Sequence, residues 1–297
     1  MDKPRIGVVG IPGKWSTEIL ADKVENQTGY RLVIDMGDVK LDLDTGTLYY
    51  KNKNLCELDA LIVKKICASY SPNTLDRLEL LRVAEAAGVR VFSSTKGIMQ
   101  LIDRLSCTVT LRNAHIPMPK TTVTENINAA VSAVAEYGSA VFKPLYSTKA
   151  QGMCVIENTD PEQVAQQVLQ FKKDNPMMYI QQKVALPGKD LGMVFLGREY
   201  LGTYARISGG DSWNTTIHHG GKYAAYTPSD EVIALGCRAQ ALFNMDFTTV
   251  DVAEPDIGPI VFEVSAFGGF RGSLEGIGID AAELYVEYVL NQLNNEK

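Results

Sequence analysis

The chain of 297 residues holds no run approaching 18 consecutive apolar residues, so nothing in it reads as a helix that spans a bilayer. No apolar signal core precedes the first strand-like run at residues 6–10, which makes the cytosol the expected compartment. Basic charge is not in excess. Lys and Arg number 29 against 35 Asp and Glu, a formal net charge of -6, and a dedicated nucleic-acid surface needs the opposite balance. Cysteine is sparse and poorly spaced for chemistry: Cys56, Cys67, Cys107, Cys154 and Cys237 form no C-x-x-C pair, and only three histidines are present to help hold zinc. They read as ordinary half-buried or buried thiols. A phosphate fingerprint is missing from the N-terminus as well. The run Gly7-Val8-Val9-Gly10-Ile11-Pro12-Gly13-Lys14-Trp15 places Val8 and Trp15 where a P-loop requires Gly and Ser or Thr. It reads either as a strand-to-helix turn or as a substrate loop above the sheet.

What is present is an ordinary globular composition, 45% hydrophobic and 22% charged, without repeats or low-complexity linkers. Short apolar runs at 6–10, 32–35, 60–63 and 89–92 alternate with helical patterns, the mark of βαβ units on an open parallel sheet. Between the last two runs, Ser71 and Pro72 open a helix whose face is Leu75, Leu78, Leu81 and Ala84, and Gly88 ends it. Residues 41–53 suggest a hairpin turning at Asp44-Thr45-Gly46. After residue 94 the pattern changes. One long amphipathic helix is expected through Ile98, Leu101, Ile102, Leu105 and Val109 as far as His115. Strands follow at 140–143, 153–156 and 178–182, with a helix at 161–173. A last stretch offers paired strands at 193–196 and 200–206, a helix at 229–243, a hairpin over 249–264 and a closing helix at 280–294. The expected architecture is α/β: an open parallel-sheet domain followed by two smaller α+β lobes.

The most informative residues are Asp251 and Glu263. A hairpin turn centred on Ile257 sets them opposite each other, where paired Cβ atoms lie about 4.5–5.5 Å apart. Their neighbours Val250, Val252, Val261, Phe262 and Val264 are apolar, so this is no solvated face. Two carboxylates that close repel unless a cation bridges them. Mg²⁺ carried by nucleotide phosphates suits the task, and a structural ion pair with Lys or Arg is the alternative. Lys143, at the end of an apolar strand, either snorkels to the sheet edge or meets an anion. The small polar loop after it, with Ser147, Thr148 and Gly152, has the make-up to fold N–H groups over phosphates. Residues 178–184 suit an adenine slot, or any sheet strand.

Taken in order, these pieces resemble the ATP-grasp superfamily, in its RimK-like α-glutamate ligase branch, from about residue 94 to the C-terminus. That implies an ATP-grasp fold in three parts: a pre-ATP-grasp α/β domain at 1–94, an N-terminal lobe at 95–185, and a C-terminal lobe with the metal-binding hairpin at 186–297. The resemblance makes Arg104 and Lys143 phosphate contacts and 147–152 the phosphate loop. It makes Gln182, Lys183 and Val184 the adenine hinge, and Asp190 the ribose acid. Arg206 falls near the transferred phosphoryl group. The segment Trp213-Asn214-Thr215-Thr216-Ile217-His218-His219-Gly220-Gly221 is similar to Phe-Arg-Ser-Asn-Leu-His-Arg-Gly-Gly in RimK, and His218 is a candidate general base. Asp251, Glu263 and Ser265 fall on the metal site, for Mg²⁺ or Mn²⁺, and Gly278-Ile279-Asp280 matches the family tail.

Departures bear on the substrate. Arg104 replaces a lysine, Gly192, Asn214 and His219 replace arginines, and Ser265 replaces the asparagine of the metal site. The loss of three arginines argues against an acidic peptide of the RimK kind. The runs 262–272 and 212–216 resemble the ATP-grasp member of the GAK system, encoded alongside HPr-kinase-like proteins. The implied activity is ATP-dependent joining of a small-molecule or peptide carboxylate to an amine through an acylphosphate. Two rivals are a kinase without C–N bond formation and a non-catalytic nucleotide-binding partner protein. Whether the protein forms a homo-oligomer is left open.

Overall fold

In a computed structural model of the protein, residues 3–148, 150–207 and 221–295 are described. The N-terminal domain runs β1 (Ile6–Val9), α1 (Trp15–Thr28), β2 (Val33–Ile34), β3 (Val39–Asp42), β4 (Thr47–Tyr50), β5 (Lys53–Asn54), β6 (Ala60–Val63), α2 (Asn73–Ala86) and β7 (Arg90–Phe92). Its sheet has the order β2-β1-β6-β7, every pair parallel. Strands β1 and β6 are buried along their whole length, as apolar strands covered on both faces must be. The hairpin forms as β3–β4, with Asp42 opposite Thr47.

The expected long helix is two: α3 (Thr95–Ile102) and α4 (Arg104–Asn113). The break is Asp103. Its backbone is extended (φ -81°, ψ 108°), and its carboxylate accepts the Leu105 N–H at 3.0 Å. Apolar spacing carries across the junction, but a side chain that caps a helix restarts it in a new direction. The apolar faces of both helices, including Ile98, Leu101, Cys107 and Leu111, share one core with Leu61 of the N-terminal domain and with Phe243 and Val264.

Next comes a small lobe with its own core of Ala130, Val134, Phe142, Val168 and Ile180. It contains β8 (Thr121–Thr124), α5 (Ile127–Tyr137), β9 (Ser139–Lys143), β10 (Cys154–Glu157), α6 (Pro161–Asp174) and β11 (Met178–Gln182), with an antiparallel sheet in the order β10-β9-β11-β8. Sequence periodicity had not indicated β8, in which all four residues are half-buried, nor the alanine-rich α5. The remaining elements are β12 (Lys189–Leu196), β13 (Glu199–Ile207), β14 (Lys222–Tyr226), α7 (Asp230–Ala241), β15 (Phe247–Ala253), β16 (Ile260–Val264), α8 (Phe270–Ile277) and α9 (Ala281–Asn295). Their sheet is antiparallel, in the order β14-β13-β12-β15-β16. Helix α9 packs back on α1, where Lys23 meets Asp280 at 2.9 Å and Glu283 at 2.6 Å.

Candidate active site

Strand register assembles the centre of the site. Asp190 of β12 pairs with Arg206 of β13, Gly192 of β12 with Asp251 of β15, and Asp251 with Glu263 of β16. The carboxylate pairing expected from the sequence is present, although the turn is not centred on Ile257. Val252 pairs with Val261, so Phe262 is an extra, bulged residue that restores the register at Glu263.

Each carboxylate lies against an arginine. Arg206 grips Asp190 with two nitrogens, Nε at 3.0 Å from Oδ1 and Nη2 at 2.6 Å from Oδ2, and Nη2 also stands 3.1 Å from Asp251 Oδ1. Burial works against the charge of Arg206, but Asp251 and Asp190 carry its pKa well above the ordinary range. Burial pushes Asp251 up to about 7, and repulsion from Glu263 and Asp190 adds to this against the pull of Arg206. Arg104, at the start of α4, reaches across the lobes. Its Nη1 donates to Glu263 Oε2 at 2.8 Å, Nε to the Pro144 carbonyl at 3.2 Å, and Nη2 to Ser147 Oγ at 3.3 Å. A planar fork thus serves three acceptors in fixed directions.

A divalent cation fits these residues. Among the described residues, Asp251 Oδ1 is buried without a well-directed hydrogen bond and has the Arg206 guanidinium at ion-pair distance, 3.1 Å. A buried acceptor left so is destabilising unless something else occupies it. No group of three or more His, Cys, Asp or Glu side chains placed to hold a metal ion by itself is found among the described residues. Asp251, Glu263 and Ser265 line the same cavity, and two carboxylates with a hydroxyl would leave positions for phosphate and water, as Mg²⁺ prefers.

Two cavities adjoin here. One, of about 170 Å³, is walled by Val141, Lys143, Met153, Gln182, Lys183 and Val184. The other, of about 400 Å³, extends past Arg206 and Ser265 to Lys65, Tyr70 and Phe267. They share Arg104, Ala150, Asp190, Asp251, Phe262 and Glu263 as a common wall. Lys143 ends β9 inside the first cavity and donates to Gln181 at 2.6 Å. Burial, aided by Arg104, lowers its pKa to about 7. Beside both cavities the chain turns tightly at residues 150–152. Ala150 and Gly152 have φ of +58° and +70°, and the Thr148 carbonyl accepts the Gln151 N–H at 3.1 Å. A Cβ on Gly152 would come 3.0 Å from Pro144, in a conformation that already disfavours side chains. Ser147 and Thr148 line the larger cavity. His218, like Lys149, Asn214 and His219, lies outside the described residues.

Sequence reasoning missed Gln181, a buried amide that holds Lys143 and also donates to Thr121 and Tyr179. It missed Lys65 and Tyr70 as well. A signal for Lys65 existed: it lies two residues past the carboxyl end of a buried parallel strand, where open sheets bind ligands. Tyr204 carried no signal. Its ring lies between strand β12 and helix α8, and a Cβ on Gly192 would stand 2.3 Å, and one on Gly272 2.4 Å, from its Cζ.

Fold and site together define an ATP-grasp ligase. The model of the RimK-like ATP-grasp domain matches residues 102–289, and the chain belongs to that family. Among curated relatives, the tetrahydromethanopterin:alpha-L-glutamate ligase of Methanosarcina acetivorans is 23% identical over 97% of this chain and 99% of its own length. The ribosomal protein bS6--L-glutamate ligase of Salmonella newport is 24% identical over 82% of this chain and 80% of its own. In fold, the ATP-grasp ligase PsnB, complexed with a minimal precursor, Mg and ADP, superposes with a TM-score of 0.73 at 20% identity over 97% of both chains. A RimK-domain ATP-grasp protein of Sphaerobacter thermophilus gives 0.75 at 20% identity, covering 96% and 98%. The protein is an ATP-dependent ligase. No helix among the described residues is long and apolar enough to cross a membrane.

Proposed function

We propose that the enzyme transfers the γ-phosphoryl group of ATP to a carboxylic acid and lets an amine displace phosphate from the acylphosphate, forming an amide. The observation that carries this reading is the wall shared by the two cavities, made of Arg104, Asp190, Asp251 and Glu263 with Ala150 and Phe262. A nucleotide in the smaller cavity and an acid in the larger would meet at that wall, which places two reactants within reach of each other without covalent help from the protein.

In this reading Lys143 neutralises the phosphates and the 147–152 loop covers them. The Lys183 N–H donates to the Ser139 carbonyl at 2.9 Å, so adenine is read by the Lys183 carbonyl and the Val184 N–H. Asp251, Glu263 and Ser265 would hold Mg²⁺, or Mn²⁺ through the same oxygens. That ion supplies charge neutralisation at the phosphates. Arg206, fixed by Asp190, faces charge that develops on the transferred group, and a donor held rigid beforehand needs no reorganisation during reaction. Asp190 serves the arginine here, which limits what it offers a ribose.

The test uses ATP, Mg²⁺ and a panel of acids, with hydroxylamine standing in for the amine. ADP and a hydroxamate should appear together, only when an acid is present. Lys143→Ala should raise the KM for ATP, and Arg206→Ala should lower kcat. A stable phosphorylated acid with no amide under any amine would replace the ligase reading with the kinase one.

A further inference from the structure

The sheet of the small lobe has one apolar face and one that carries polar side chains. Phe142 and Ile180 belong to the lobe's own core, and the residues one step along each strand point the other way. Strand register gathers four of these. Lys143 of β9 pairs with Tyr179 of β11, and Gln181 of β11 pairs with Thr121 of β8. Tyr179 and Gln181 are two residues apart and share a face, on which Lys143 and Thr121 therefore also stand. Helix α4 adds Thr108, about one turn after Arg104.

These groups form one hydrogen-bonded chain. Lys143 Nζ donates to Gln181 Oε1 at 2.6 Å, and Gln181 Nε2 donates to Thr121 Oγ1 and to the Tyr179 hydroxyl, each at 3.2 Å. The Tyr179 and Thr108 hydroxyls lie 3.0 Å apart. The lysine settles which way the amide points. An ammonium only donates, so the amide oxygen must face it and the NH₂ group must turn to the hydroxyls. Gln181 and Tyr179 are each 1% exposed, so a rotated amide would set buried donors against each other, a costly arrangement with no water to relieve it. A carboxylate in place of the amide would also hold the lysine, but it would compete with phosphate for the positive charge. The amide fixes the ammonium without adding a counter-charge to the smaller cavity, which both residues line.

We propose that Gln181 is a positioning residue: its amide, locked by Tyr179 and Thr121, sets the Lys143 ammonium for the nucleotide phosphates before the nucleotide binds. This rests on the reading of Lys143 as a phosphate contact. A lysine side chain left to itself loses much rotational freedom when it is ordered on a ligand, and that loss weakens binding. Held by Gln181, the side chain is ordered already in the folded protein. The bond from Tyr179 to Thr108 ties the same network to α4, and the Arg104 guanidinium lies 6.0 Å from the centre of the Tyr179 ring. Both cations assigned to phosphates thus take their places from one buried frame.

The experiment is a double-mutant cycle on Mg·ADP binding to the full chain, read by calorimetry for the parent, Gln181→Met, Lys143→Ala and the double variant. Each single change should raise the Kd about fivefold or more, and Gln181→Met should add little once Lys143 is gone, a coupling of about fivefold. A residue that only packs the sheet would weaken binding by the same factor in both backgrounds. Tyr179→Phe keeps the ring and removes the hydroxyl that orients the amide, so it carries the test if Gln181→Met does not fold. It should weaken Mg·ADP binding in the parent background and leave it unchanged in Lys143→Ala. Equal effects in both backgrounds, or parent-like affinity in the Gln181 and Tyr179 variants while Lys143→Ala binds weakly, overturn the positioning role and keep the lysine at the phosphates. Parent-like affinity in Lys143→Ala overturns both, and the hydroxamate assay then decides the ligase reading separately.

Discussion

Alanine at position 192 should be disruptive, although it adds one methyl group. The resemblance to RimK sets Gly192 where that protein has an arginine, and the structure leaves little room for any side chain there. An added Cβ would come 2.3 Å from Tyr204 Cζ and 2.6 Å from its hydroxyl. The ring has no room to retreat, because it is 3% exposed and the opposite side is occupied by Gly272, whose own Cβ would come as close. Forcing a methyl group into such packing costs about 1–3 kcal/mol. Tyr204→Ala on its own should cost about 3–5 kcal/mol, as emptying a large aromatic site does. In the double variant the new methyl group enters the space the ring has left, so the two effects should not add. A coupling of about 1 kcal/mol or more in the relieving direction is expected for residues in direct contact. Urea unfolding of the four proteins supplies the cycle. Effects that add within about 0.5 kcal/mol, or a neutral Gly192→Ala, would refute the account of Tyr204 as the occupant of the missing side chain's space.

Four further outcomes are expected. ATP should protect the protein from heat only with Mg²⁺ or Mn²⁺ present, by about 2.7 kcal/mol at a hundredfold excess over the Kd, and equal protection in excess EDTA would remove the metal from Asp251 and Glu263. Glu263→Gln should abolish ATP turnover, since it deprives both the cation and Arg104 of a charge; parent-like turnover would defeat the catalytic reading. Ser265→Asn should lower the Mg²⁺ concentration needed for half-maximal turnover, because an amide oxygen is a better and longer-reaching ligand than a hydroxyl; an unchanged requirement would place Ser265 outside the metal shell. Lys64 provides the pH test. Burial, followed by repulsion from Lys65, lowers its pKa to about 7, so between pH 7 and 10 the unfolded chain binds the proton that the folded chain does not. Stability contributed by this group therefore rises with pH across that window, and the destabilising effect of Lys64 is full below it. Urea melts at pH 7 and 9.5 should show a more favourable change on raising the pH for the parent than for Lys64→Met, and identical changes would reject the assignment.

The N-terminal parallel sheet was legible because buried strands show as short apolar runs, and each needs only its own few residues to be recognised. The same holds for Asp251 and Glu263, since strand alternation and one turn fix a facing pair over a dozen residues. Even there the bulge at Phe262 was invisible, and the right pairing came from a turn assigned half a residue off. The break at Asp103 was hidden by apolar spacing that runs on through it, while the capping carboxylate that causes it acts on a single N–H.

Everything that makes the site a site lies at longer range. Arg104 and Glu263 are 159 positions apart, and Lys64 reaches a carbonyl 204 positions away. Whether a charge ends beside a carboxylate, a ring or a cavity depends on how the lobes pack, and no periodicity records that. The sequence by itself determined the family, the α/β order and the residue types available for phosphates and a cation. The tertiary structure alone decided that Arg206 is gripped by Asp190, that the Tyr204 ring packs against Gly192 and Gly272, and that Lys65 lines the larger cavity. Local patterns are set by backbone geometry within a turn or a strand, whereas these contacts are set by the packing of distant elements into one core.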